Sequence, residues 1–162
     1  RRLIGLLKAT FTHLILNLSN GFRDTDITAM QSADTVLVVS QLEVACVRNL
    51  SRLFKAMEGT DGLIDRIKIV LNRVGAKELN IPIEKAEETI GKKFFWQVPN
   101  DWQNTVAART AGVPLVMHAP KAKVSIALSK LAEELAGTSA GAPQNGAAPK
   151  RRGLFAIFSG SA

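Results

Sequence analysis

Apolar runs of strand length alternate with amphipathic stretches of helix length through the first 136 residues, and this alternation restricts the chain to very few architectures. It is the pattern of βαβ units built around a parallel sheet. The strand candidates are "FTHLILNLS" (Phe11 to Ser19), "DTVLVVS" (Asp34 to Ser40), "RIKIVLNRV" (Arg66 to Val74) and "KFFWQVP" (Lys93 to Pro99). Their interiors are nearly continuous apolar residues, as in strands covered on both faces.

Helical periodicity fills the intervals. "EVACVRNLSRLFKAME" puts Val44, Val47, Leu50, Phe54 and Met57 on one stripe and Arg48, Arg52 and Lys55 elsewhere. Start and stop residues place further helices over Asp24 to Ser32, over "IEKAEETIG" with Gly91 as its stop, and over "DWQNTVAARTAG" between Asp101 and Gly112. A last helix, "KAKVSIALSKLAEELAG", is entered after Pro120 and ends at Gly137. The expected organisation is a folded part over 1–136, a small, polar, Pro/Gly-rich linker over 137–149 and a basic amphipathic tail over 150–162.

Composition narrows the setting. A chain of 162 residues with 46% hydrophobic residues can bury a core of one domain, and it has no apolar run of 18 residues to span a bilayer. Lone Cys46, within a helical pattern, reads as a small core residue and fits a reducing, cytoplasmic setting. The net charge of +7 raises nucleic acid or anionic lipid as partners. Lys150, Arg151 and Arg152 supply three of those charges; the 18 basic and 14 acidic residues before them leave a body of only +4. The opening "RRLIGLLKAT" reads as the last turns of an amphipathic helix, so a C-terminal piece of a longer protein is expected.

In a parallel sheet, ligands bind at the carboxyl ends of the strands. Those ends are Asn17 to Asn20, Ser40 to Glu43, Asn72 to Val74 and Pro99 to Asp101. "VLNRV" ends a strand with an amide and a guanidinium, groups that hydrogen-bond to or stack on a planar base. "VPND" follows the next strand with a proline-shaped loop able to wall the same site.

In this order, "SADTVLVVSQLEVACVRNLSRL", "IVLNRV", "FFWQVPND" and "AARTAGVPLVMHAPKAKVSIALSKLAEEL" resemble the MinD/ParA-like P-loop ATPases, and among them the CpaE/TadZ proteins of Flp (Tad) pilus assembly. The resemblance covers about residues 3–136. It implies an α/β fold with a mostly parallel sheet flanked by helices, lacking here the N-terminal Walker A strand and loop. It also implies ATP with Mg in the intact parent, and dimers closed over the nucleotide. Carried over, Asn72 faces the adenine, Arg73 borders it, and Pro99, Asn100 and Asp101 lie in the loop across the base.

Two departures bear on activity. Asn17 and Ser19 stand where active relatives carry an aspartate and a proline, and a neutral amide does not hold magnesium-bound water as a carboxylate does. No G-x-x-x-x-G-K-[ST] occurs, so this sequence supplies no phosphate cradle. The chain as given is therefore expected neither to bind nucleotide tightly nor to hydrolyse ATP. Asn17 equally suits a turn-capping amide beside Asn20-Gly21, and that alternative stays open. A surface-loop reading stays open likewise for Asn72 and Arg73.

His13 in its apolar run and His118 near Pro114 and Pro120 have no second ligand at metal spacing, and no nucleophile is nominated. Trp96 and Trp102 bracket "VPND" and read as packing residues, with Trp102 also near the adenine loop. In the tail, Leu154, Phe155, Ile157 and Phe158 fall on one side of a helical turn behind Lys150, Arg151 and Arg152. This resembles the membrane-targeting tail of MinD and implies a weak anchor on anionic lipid. A protein-docking peptide or an unstructured end fits the same residues.

The function implied is localisation or assembly of the pilus machinery at the inner face of the cell membrane, with pilus assembly proteins and a second copy as partners. A nucleotide-independent scaffold and a ParA-like DNA partition protein are the alternatives, and the mild charge of the body speaks against nucleic acid.

Overall fold

β2 (Ile67–Val74) organises the molecule, because its alternate residues enter two separate cores. In this computed structural model, which describes residues 2–19, 23–58, 62–76 and 81–137, β2 is the centre of a three-stranded sheet. β1 (Val36–Ser40) pairs with it in parallel from Val36 opposite Ile67 to Ser40 opposite Leu71, and β3 (Phe94–Pro99) pairs in parallel on its other side. Both connections carry helices, as parallel pairing requires.

The elements preceding the sheet are α1 (Arg2–Thr10) and α2 (Asp24–Ser32). Between β1 and β2 run α3 (Val44–Met57) and one turn, α4 (Leu63–Arg66); between β2 and β3 runs α5 (Ile83–Ile90). After the sheet come α6 (Trp102–Ala111), a short α7 (Leu115–His118) and α8 (Lys123–Leu135). The helices anticipated from periodicity are all present among the described residues; the single turns α4 and α7 are too short to show a period.

Ile67, Ile69 and Leu71, all at 0% exposure, point to one face of the sheet, where Val47, Leu50 and Phe54 of α3 and Ala86 and Ile90 of α5 cover them. A fully buried side chain of this size stabilises the fold by about 1.5–3 kcal/mol relative to an exposed one. Val70 points to the other face with Val98, under Val124 and Leu131 of α8. Trp96 belongs to this second core, and its indole N–H donates to the Ala127 carbonyl at 3.0 Å. The continuous apolar character of β2 thus follows from helices on both faces.

One strand expectation is corrected. Phe11 to Ser19 is irregular and pairs with nothing in the sheet, because β1 is hydrogen-bonded to β2 alone and no described strand lies beside the segment to take up its N–H and C=O groups. Ile15 is 92% exposed, and only Leu18 packs against the larger core. Val44, placed by periodicity on the buried stripe of α3, is exposed at its first turn. Cys46 is half-buried. The linker over 137–149, apart from Gly137, and the tail residues Lys150, Arg151, Arg152, Leu154, Phe155, Ile157 and Phe158 lie outside the described residues, as do Asn20 and Gly21.

Candidate functional site

Parallel pairing brings the carboxyl ends of β1, β2 and β3 to one edge of the sheet. At that edge the β2–β3 register shifts between Leu71 and Val74, so Asn72 and Arg73 bulge out of the ladder. Arg73 has φ +58°, the one positive φ of a non-glycine residue among those described. Such a conformation costs about 1–3 kcal/mol and persists only where the surroundings impose it.

Three contacts impose it. The Arg73 backbone N–H donates to Asn72 Oδ1 at 2.9 Å, the Arg73 carbonyl accepts from the Ala76 N–H at 3.2 Å, and Arg73 Nη1 donates to Gln41 Oε1 at 3.3 Å. The last bond ties the end of β1 to the end of β2. A fourth bond, from the Asn100 N–H to the Val74 carbonyl at 2.9 Å, fastens the loop after β3 to the same tip. Gln41, Arg73, Asn72 and the 99–101 loop therefore form one hydrogen-bonded rim.

Asp101 terminates this rim as the N-cap of α6. Its Oδ1 accepts from the Asn104 N–H at 3.1 Å and its Oδ2 from Asn104 Nδ2 at 2.8 Å, so the carboxylate is engaged in holding the helix start. Pro99 is half-buried, Asn100 exposed, and Trp102 stands beside them at 68% exposure.

On the far side of β1 the arrangement is looser. A groove of about 390 Å³ lies between Ser19, Val39 and Ser40 of β1, and Cys46, Asn49 and Leu53 of α3. Asn17 is exposed, and Ser19, two residues on, is bonded to Asp26 of α2. Ser19 Oγ donates to Asp26 Oδ2 at 2.6 Å, the Ser19 N–H approaches Asp26 Oδ1 at 3.4 Å, and the Arg23 N–H donates to Asp26 Oδ2 at 3.0 Å. The Ser19 hydroxyl first, and then the Arg23 amide, stabilise the ionised Asp26 and hold its pKa below the ordinary 3.8, against a smaller opposing effect of desolvation. His13 sits in the irregular segment with Nδ1 3.3 Å from Thr12 Oγ1. Among the described residues no three His, Cys, Asp or Glu side chains gather as metal ligands.

No family model matches the chain. The septum site-determining protein MinD of Synechocystis is 25% identical over 139 residues, covering 83% of this chain and 51% of its own length. The MinD of Pyrococcus horikoshii, solved in complex with Mg-ADP, superposes with a TM-score of 0.68 at 26% identity, over 83% of this chain and 54% of that one. A ParA family ATPase of Chlorobium tepidum shares the fold with a TM-score of 0.75 at 20% identity, over 82% and 54%. Sequence relatives and structural neighbours together support a MinD/ParA-like P-loop ATPase family. The chain spans about half the length of the curated relatives it matches. The expected α/β fold with a parallel sheet flanked by helices is therefore that of the MinD/ParA-like proteins.

The structure brings Asn72, Arg73, Pro99, Asn100 and Asp101 to one rim and leaves Asn17 across β1 from them. Gln41 joins this rim, and Asp26 the looser region across β1, through contacts that sequence reasoning did not assign. Gln41 lies in a strand-end stretch, which was its available signal; the burial of Asp26 had none.

Proposed function

We propose that the chain forms the base-side wall of a nucleotide site in a MinD/ParA-like ATPase of the CpaE/TadZ kind, one that positions Flp (Tad) pilus assembly at the inner face of the cell membrane. The observation that carries the nucleotide reading is the rim itself: an amide and a guanidinium from the end of β2 and the proline loop after β3, hydrogen-bonded together and to Gln41 after β1. With Asn72 Oδ1 engaged by the Arg73 N–H, the amide Nδ2 is the end suited to the acceptor nitrogens of adenine, and the Arg73 guanidinium suits its face or edge. The pilus assignment rests on the ordered resemblance of the sequence.

The fit to ATP with Mg is one-sided. The residues of the rim suit a planar base, whereas Asn17 offers no carboxylate to the metal's water and the sequence holds no phosphate-cradling loop. Residues outside this sequence would hold the phosphates and Mg, and no hydrolytic step is assigned to the residues here. Pilus assembly proteins and a second copy of the protein are the proposed partners. Lys150, Arg151, Arg152, Leu154, Phe155, Ile157 and Phe158 are proposed as a weak anchor on anionic lipid, doubled by dimerisation. No helix among the described residues is long and apolar enough to cross a membrane.

The test is Mg-ADP binding to the intact protein. Asn72→Ala is expected to weaken Kd about tenfold, the scale of one lost hydrogen bond to the base in a desolvated site. An unchanged Kd removes the base-wall reading. Asn17 favours a second reading, a nucleotide-independent scaffold on the same fold, in which association with a pilus partner is indifferent to ADP. Nothing favours the DNA-partition reading, and the mild charge of the body speaks against it.

A further inference from the structure

The guanidinium of Arg73 reaches across from the end of β2 to the side chain that directly follows β1, and its own backbone is held in a conformation that L residues avoid. Strain of this kind, at the carboxyl edge of a parallel sheet, points to a side chain whose direction matters. An unstrained bulge would serve equally well to end the strand, and glycine would adopt this φ without cost.

The carboxamide of Gln41 is well placed to set that direction. Gln41 is half-buried, two residues beyond Val39 on β1, and its Oε1 accepts from Nη1 at 3.3 Å. The bonds of the Arg73 N–H to Asn72 Oδ1 and of the Arg73 carbonyl to the Ala76 N–H act on the backbone and do not orient the long side chain. A guanidinium bonded to Gln41 presents its planar fork in a narrowed set of orientations, so less freedom is lost when a base is bound.

We infer that Gln41 is a positioning residue of the purine site: by holding Arg73 it lets the tip of β1 determine how well the tip of β2 receives the base. This rests on the nucleotide reading above and adds to it a residue with no contact to the base. It also makes the groove side of β1 and the base side of β2 parts of one device, since Ser40 lines the groove and Gln41 follows it directly.

The experiment is a double-mutant cycle on the intact protein, reading Kd for Mg-ADP and Tm for each variant. Gln41→Ala is expected to weaken ADP binding about fivefold with little change in Tm, whereas Gln41→Glu, which keeps an acceptor for the guanidinium, stays within about twofold of the unaltered protein. Arg73→Gly alone should weaken binding, and adding Gln41→Ala to it should weaken binding no further. Binding by Gln41→Ala equal to the unaltered protein overturns the inference while Asn72→Ala still upholds the base wall; additive losses in the double variant overturn it as well. If Asn72→Ala binds as the unaltered protein does, the nucleotide reading fails and the inference fails with it.

Discussion

β2 and the segment from Phe11 to Ser19 carry the same message in sequence, an apolar run ending in an asparagine, yet they have opposite fates. β2 has a strand on each side and helices over both faces, and Ile67, Ile69 and Leu71 are shut away from water. The earlier run has no paired neighbour among the described residues, and Ile15 is almost wholly exposed. β1 lies between these extremes: it is paired on one side, its Val36 and Val38 face the larger core, and Val39 on the other face is 62% exposed. An apolar run states that something must cover it; the covering element decides whether it becomes a strand.

Mutation can break this contrast. Leu71→Ala is expected to cost about 3 kcal/mol, the scale of a buried leucine truncated in a packed core, whereas Ile15→Ala should change stability by less than about 0.5 kcal/mol. Chemical denaturation measures both, and a large loss at Ile15 would show that the segment is packed after all. A smaller effect is expected at Asp26, which holds the looser region together. Its folded pKa lies below 3.8, so its contribution is present above that pH and is lost as pH falls through the folded value. Asp26→Asn should therefore be less stable than the unaltered chain near pH 6, with the gap closing in acid. A gap independent of pH would mean that the ionised carboxylate does not hold Ser19. Arg73→Gly sharpens the comparison from the ordered side with the smallest effect. Relief of the positive φ offsets the lost bond to Gln41, and stability should shift by less than about 1 kcal/mol.

Much of the site was legible because strand ends can be located from apolar runs. Asn72, Arg73 and the Pro99 to Asp101 loop were nominated on that ground, and the structure places them together. Their mutual bonds were not legible: Gln41 and Arg73 are 32 residues apart, and nothing local says that one side chain reaches the other. The same holds for Asp26, whose place in the first turn of a helix suggests a solvated carboxylate, whereas Ser19 and Arg23 enclose it. The Phe11 to Ser19 expectation erred because composition records a need for cover without recording whether it is met. The Asn17 position consequently stands in an irregular segment anchored by Ser19, apart from the rim.

From its sequence alone this protein was committed to alternating strands and helices, to a parallel sheet covered on both faces at its centre, and to a polar edge at the strand tips. Those properties follow from periodicity and from the chemistry of residues a few positions apart. Tertiary structure alone decided which run found a neighbour, which face of β1 stayed open, and that Arg73 is bent into a left-handed turn and held from the end of β1. Backbone hydrogen bonds between strands and side-chain bonds across them join residues distant in the chain, and their geometry exists only once the sheet has formed.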